Sequence, residues 1–150
     1  MLAPCYKAVL LAATLGADSE RLILKEQAKD SADALIFDAA LSAAIEAVCD
    51  QMEETLRGEL AAQGLYLTDR FSPGYGDMPL AQSGQICEVL NAGRTIGLTV
   101  SRSGILIPRK SVTAIMGVSR TVVSHKPKGC SGCSARKTCA FARHDSITEE

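Results

Sequence analysis

The chain has 150 residues, 47% apolar and 22% charged, a composition that builds one globular domain with a core rather than a disordered chain. Sixteen basic residues against seventeen acidic ones give a net charge of -1, which excludes the basic footprint of a duplex-binding protein or a polybasic membrane anchor. There is no Trp and only three Phe and three Tyr, too few for a stacking platform for single-stranded nucleic acid, and no apolar run approaches the roughly 20 residues that span a bilayer.

In chain order, Ala8 to Leu15 is an apolar stretch between Pro4 and Gly16. With Lys7 before it, it faintly resembles a signal peptide, but it runs directly into Asp18-Ser19-Glu20-Arg21, and a buried strand is the simpler reading. Asp18 or Ser19 is expected to cap a helix running to about Lys29, its Glu20, Lys25, Glu26 and Lys29 forming a solvated face. Asp30 or Ser31 caps a much longer one. Its apolar positions Leu35, Ile36, Ala39, Ala43, Ile45, Val48, Met52, Leu56 and Leu60 recur at helical spacing, with a weak point at Gly58 and a left-handed stop at Gly64.

Leu65 to Thr68 reads as a short strand. The following Arg70-Phe71-Ser72-Pro73-Gly74-Tyr75-Gly76-Asp77 is irregular, because Pro73 lacks an N–H and the two glycines open unusual backbone angles. A helix is expected from Pro79 to about Asn91. Strands rich in Val, Ile and Thr follow over Ile96 to Ser101, Gly104 to Ile107 and Ser111 to Val118, with Pro108-Arg109-Lys110 a polar turn or a basic contact between the last two. The expected fold class over residues 1–123 is therefore α+β, strands mixed with helices. Residues 124–150 form a polar, Cys-rich tail.

Three constellations can carry chemistry. In the loop, Arg70 offers a two-pronged guanidinium beside bare glycine backbone, suited to a small zwitterion with a flat ring; the plain alternative is a rigid turn. Glu46 lies near the apolar face of the long helix, either solvated at its edge or held for a cation. In the tail, Cys130-x-x-Cys133-x5-Cys139 has three thiols close enough for one metal, with His125 or His144 as a fourth zinc ligand, or an iron–sulfur cluster with an outside ligand; redox-active thiols and an unligated tail remain open. Cys5, Cys49 and Cys87, set in apolar surroundings, read as small core residues.

The stretch Arg70-Phe71-Ser72-Pro73-Gly74-Tyr75 resembles the adenosylmethionine-binding loop of the activation domain of cobalamin-dependent methionine synthase. The run from Ile96 to Thr113 is similar to that domain's closing strand pair. Thr14-Leu15-Gly16 and the helix segment around Glu46 continue the likeness, which spans about Ala8 to Ser119. The resemblance implies a twisted antiparallel sheet with flanking helices, and a stand-alone activation subunit that binds S-adenosylmethionine and supports reductive methylation of cobalamin held by a partner, a methionine synthase or other corrinoid protein. Arg70 would pair with the ligand's carboxylate, Ser72, Pro73, Gly74 and Tyr75 would contact the adenosyl part, and Glu46 would meet the cationic amino acid end. The family domain has a further N-terminal region with an acidic residue at the ligand, to which no segment of this sequence is similar; read as a shortened relative or a fragment, the chain is expected to have a more open site with weaker binding.

The implied setting is cytoplasmic, with a flavodoxin- or ferredoxin-like reductant, no nucleic acid and no membrane. No turnover is expected of the chain alone, because the nucleophile would be the partner's cobalt. Two other readings stand beside this one: a metal or iron–sulfur redox module built on the tail, and a non-catalytic adaptor for a corrinoid protein.

Overall fold

The computed structural model describes residues 2, 4–125, 135–140 and 142. The elements are β1 (Cys5–Thr14), α1 (Ala17–Gln27), α2 (Ser31–Ala61), β2 (Tyr66–Leu67), α3 (Gln82–Val89), α4 (Ala92–Thr95), β3 (Thr99–Val100), β4 (Leu106–Ile107) and β5 (Ser111–Ser119). The result is a mixed α and β fold around a small antiparallel sheet in the order β1-β5-β2, with β3 and β4 as a separate hairpin.

The apolar stretch after Pro4 is indeed a strand, and it forms the long ladder of the sheet. Leu11 faces Ala114 and Val9 faces Met116 across the β1–β5 pair. Strand alternation then sends two sets of side chains to opposite faces. Leu11, Ala13, Ala114, Met116 and Val118 meet Ile45 and Cys49 of α2 together with Leu67 of β2. On the other face Ala12 packs with Cys87, Ala92 and Leu98 from α3, α4 and the loop that follows. The sheet is thus a middle layer between α1–α2 and the α3–α4–hairpin unit.

Helix α2 starts where the sequence places it: the Asp30 carboxylate accepts the Ala32 N–H at 2.7 Å. It runs unbroken through Gly58 and stops before Gly64, whose φ of 69° is left-handed. Its buried face differs from the expected one. Ala34, Ile45, Cys49 and Glu53 are buried, whereas Leu35, Ile36, Val48 and Met52 are exposed. Length is the reason. Thirty-one helical residues extend about 46 Å, whereas the ten residues of β1 extend only about 33 Å. The second half of α2 covers the sheet, and the first half overhangs it and packs with α1.

Other expectations are corrected. Neither Asp18 nor Ser19 caps α1: Gly16 is the capping residue, and the Ser19 hydroxyl donates to the Gly16 carbonyl at 2.7 Å. The helix expected from Pro79 begins only at Gln82. Its approach, Pro79 to Gly84, is wound by three-residue turns such as Gln82 N–H to Pro79 C=O at 3.1 Å. The strands over Ile96 to Ser101 and Gly104 to Ile107 shrink to two residues each, because only Thr99–Ile107 and Val100–Leu106 pair. Lys110 is buried, and its ammonium is held by Asp38 at 2.8 Å and by the Ser42 hydroxyl at 2.8 Å, so it is a tie between β5 and α2 rather than a surface contact. Among the described residues no helix is long and apolar enough to cross a membrane.

Candidate functional site

Arg70 owes its position to the edge of the sheet. Before it, Thr68 exchanges bonds with Gly117, its N–H donating to the Gly117 carbonyl at 2.9 Å and its hydroxyl accepting the Gly117 N–H at 2.8 Å. After it, Phe71 and Ile115 exchange both backbone bonds, at 3.0 and 2.9 Å. Pinned on both sides, Arg70 meets α2 where Glu46, Asp50 and Glu53 stand at i, i+4 and i+7, one helix face. Arg70 Nη2 lies 3.0 Å from Glu46 and 3.1 Å from Asp50, and Nη1 lies 3.5 Å from Glu53. At that length Nη1 makes no hydrogen bond, although it is buried.

The network continues. Glu53, with a side chain only 5% exposed, takes Arg57 Nη2 at 2.7 Å. Arg57 Nη1 donates to the Leu67 carbonyl at 2.8 Å and faces His125 Nε2 at 3.0 Å. The other ring nitrogen of His125 lies 2.6 Å from Asp69. Arg57 can only donate, so Nε2 accepts and Nδ1–H donates to Asp69, which makes this imidazole the neutral tautomer protonated on Nδ1. The chain leaving β5 is thereby fastened to the body of the domain at His125. Cys49, wholly buried beside this cluster, has its thiol pushed up from the ordinary value of 9.0, first by burial and then by the three carboxylates, with Arg70 opposing. Burial alone raises Cys87.

The loop after Phe71 walls a cleft of about 390 Å3. Its opposite wall comes from Gly104, Ile105, Leu106 and Arg109 before β5 and from Ser111 to Thr113 within it. Leu80 sets the spacing of the two walls. Gly74, at φ 91°, and Gly104, at φ 84°, both turn a bare Cα toward its side chain: a Cβ would lie 3.3 Å from Leu80 at Gly74 and 3.0 Å at Gly104. The bare backbone that the sequence offered to a ligand at Gly74 is therefore occupied by Leu80.

Of the six loop and helix candidates, Glu46, Ser72, Pro73 and Tyr75 line this cleft, whereas Arg70 and Gly74 do not. Arg70 instead borders a larger cavity of about 720 Å3 on the other side of the loop, with Asp69, Phe71, Val122 and Val123. Arg70 and Asp69 there are already engaged, with α2 and with His125, so the smaller cleft, with Glu46 and Arg109 on its wall, is the better candidate despite its size. Tyr75 is 71% exposed, a ring free to cover what enters. Sequence reasoning missed Asp50, Glu53 and Arg57; the signal was their helical spacing from Glu46. It also missed Ser83, Gly104, Ser111 and Thr113, which only the folding of β5 beside α3 brings together.

Cys139 is exposed. Cys130, Cys133 and His144 lie outside the described residues, so the tail's metal reading has no geometry to stand on. His125, the other expected ligand, has both ring nitrogens engaged. No model of a known protein family matches the sequence, and no curated protein matches it either.

Proposed function

We propose that this chain binds S-adenosylmethionine in the cleft between the Ser72–Leu80 loop and the start of β5, as an activation subunit for a separate corrinoid protein. The observation that carries the reading is the convergence of Glu46, Ser72, Pro73 and Tyr75 on one cleft, since these residues come from the segments that resemble the methionine synthase activation domain. A volume of about 390 Å3 lies within the roughly 300–1,000 Å3 typical of small-molecule sites. The lining suits the ligand: Tyr75, Pro73 and Leu80 offer apolar surface to a flat ring system, and Glu46 offers a carboxylate to a cation.

The chain's part is positioning. Glu46, held by Arg70, orients the cationic amino acid end, and Tyr75 and Leu80 exclude water from the adenosyl group. Arg70 in this reading is the anchor that fixes Glu46. The partner's corrinoid cobalt, reduced by one electron from a flavodoxin- or ferredoxin-class donor, would supply the electron pair for the methyl carbon, while the C–S bonding pair returns to sulfur and leaves a neutral thioether. Among the described residues the cleft wall holds no Cys, His or Lys that would itself attack a sulfonium methyl.

Transfer of labelled methyl from S-adenosylmethionine to a corrinoid protein tests the reading. With reductant, the label should reach the corrinoid protein only when this chain is present, and the chain alone should give no turnover. Equal labelling without the chain rejects the role.

A further inference from the structure

The cleft has a second charged residue that no reading of the loop anticipates. Of the residues that line it, two carry charge, Glu46 and Arg109. Glu46 engages Arg70 through Oε2, which leaves Oε1 without a hydrogen bond among the described residues. Arg109 makes no ion pair or side-chain hydrogen bond among the described residues. Only its backbone is tied, its N–H donating to Glu20 Oε1 at 2.7 Å. That bond and the buried neighbours Pro108 and Lys110 hold the residue in place at the entrance to β5.

The other cations near the cleft are taken. Lys110 is bound to Asp38 and Ser42, and Arg70 lies among Glu46, Asp50 and Glu53. Most hydroxyls of the wall are taken too. Ser83 and Thr113 bond to each other at 3.2 Å, and Ser111 bonds to Thr14 and to the Pro108 carbonyl. Among the described residues, the side-chain polar groups left for a ligand are the Arg109 guanidinium, the Ser72 and Tyr75 hydroxyls and one oxygen of Glu46.

The geometry points to Arg109 as the residue that binds the anionic end of the ligand, with Glu46 taking the cationic group, so that the cleft selects a zwitterion. This rests on the reading that S-adenosylmethionine occupies the cleft. It assigns the carboxylate to Arg109 rather than to Arg70, whose three carboxylate neighbours already neutralise it. A guanidinium without a partner gains a full charge-assisted, two-pronged bond from a carboxylate, whereas Arg70 would have to exchange one carboxylate for another.

Calorimetric titration with S-adenosylmethionine and with its decarboxylated analogue, on the wild type, Arg109→Gln and Arg109→Lys, separates the possibilities. The wild type should prefer the carboxylated ligand by roughly 10- to 100-fold. Arg109→Gln should bind the two ligands about equally, and Arg109→Lys should recover part of the preference. The Arg109 side chain makes no bond among the described residues, so both variants should keep the wild-type circular dichroism. Preference retained in Arg109→Gln overturns the assignment and leaves the cleft reading standing. No binding of either ligand by the wild type overturns both.

Discussion

At the scale of single residues, the arginine that dominates the sequence motif is paired with carboxylates of α2. Arg70, 14% exposed, holds three carboxylates that would otherwise repel one another on one face of α2. Removing one partner of such a cluster is costly because the charges left behind are partly desolvated. Arg70→Ala should lower stability by about 2–3 kcal/mol, below the full buried-pair figure because Glu46 and Asp50 reach solvent. Arg70→Lys should restore only part, since a single ammonium cannot serve two directions. Denaturant midpoints read both; an unchanged midpoint for Arg70→Ala would show that the cluster contributes nothing.

The buried thiols supply a pH signature. Burial raises Cys49 and Cys87 above 9.0, so their contribution to stability is intact below the ordinary thiol value and is lost as pH rises through the raised folded values. Unfolding midpoints should therefore drop as pH rises past the ordinary thiol value of 9.0, and the drop should be smaller in Cys49→Ala. An equal drop in that variant would assign it to other groups.

Among the elements, α2 shows what hydrophobic periodicity conveys and what it leaves out. The spacing of Leu35, Ile36, Ile45, Val48, Met52, Leu56 and Leu60 announced a helix, and the helix is there. Periodicity alone does not say which part of a long helix has a neighbour. Only the mismatch between helix and sheet lengths shows that Leu35 lies beyond the sheet while Ile45 lies over it. Ile45→Ala should cost about 2–4 kcal/mol as a core truncation, whereas Leu35→Glu should stay within about 0.5 kcal/mol. A large loss for Leu35→Glu would mean that the overhang is covered in solution.

The short strands were less legible for a different reason. β3 and β4 pair only two residues each, so their Val, Ile and Thr content overstated the ladder, and hydrogen bonding rather than composition set their ends. The loop from Arg70 to Asp77 was legible as irregular from Pro73 and its glycines. That Gly74 and Gly104 jointly seat Leu80 required the fold, because the two glycines come from segments thirty residues apart in sequence.

For the whole molecule, the central claim is where the ligand sits. Two cavities flank one loop: about 390 Å3 between Ser72–Leu80 and the start of β5, and about 720 Å3 between Arg70–Asp77 and Val122–Ser124. The sequence supplied the loop and Glu46, and offered Arg109 only as a polar turn or basic contact, without bringing it to the cleft or saying which side of the loop faces it. The smaller cavity is the better candidate because Glu46 and Arg109 keep bonding capacity, whereas Arg70 and Asp69 beside the larger one are paired with α2 and His125. Titration of S-adenosylmethionine into isotope-labelled protein, followed by backbone amide shifts in NMR, tests that choice most directly. Saturable shifts at Ser72, Tyr75, Gly104, Arg109 and Thr113 are expected, with little change at Val122 to Ser124. Shifts confined to Thr68, Asp69, Gly76 and Val122 to Ser124, or no shifts at millimolar ligand, would contradict it.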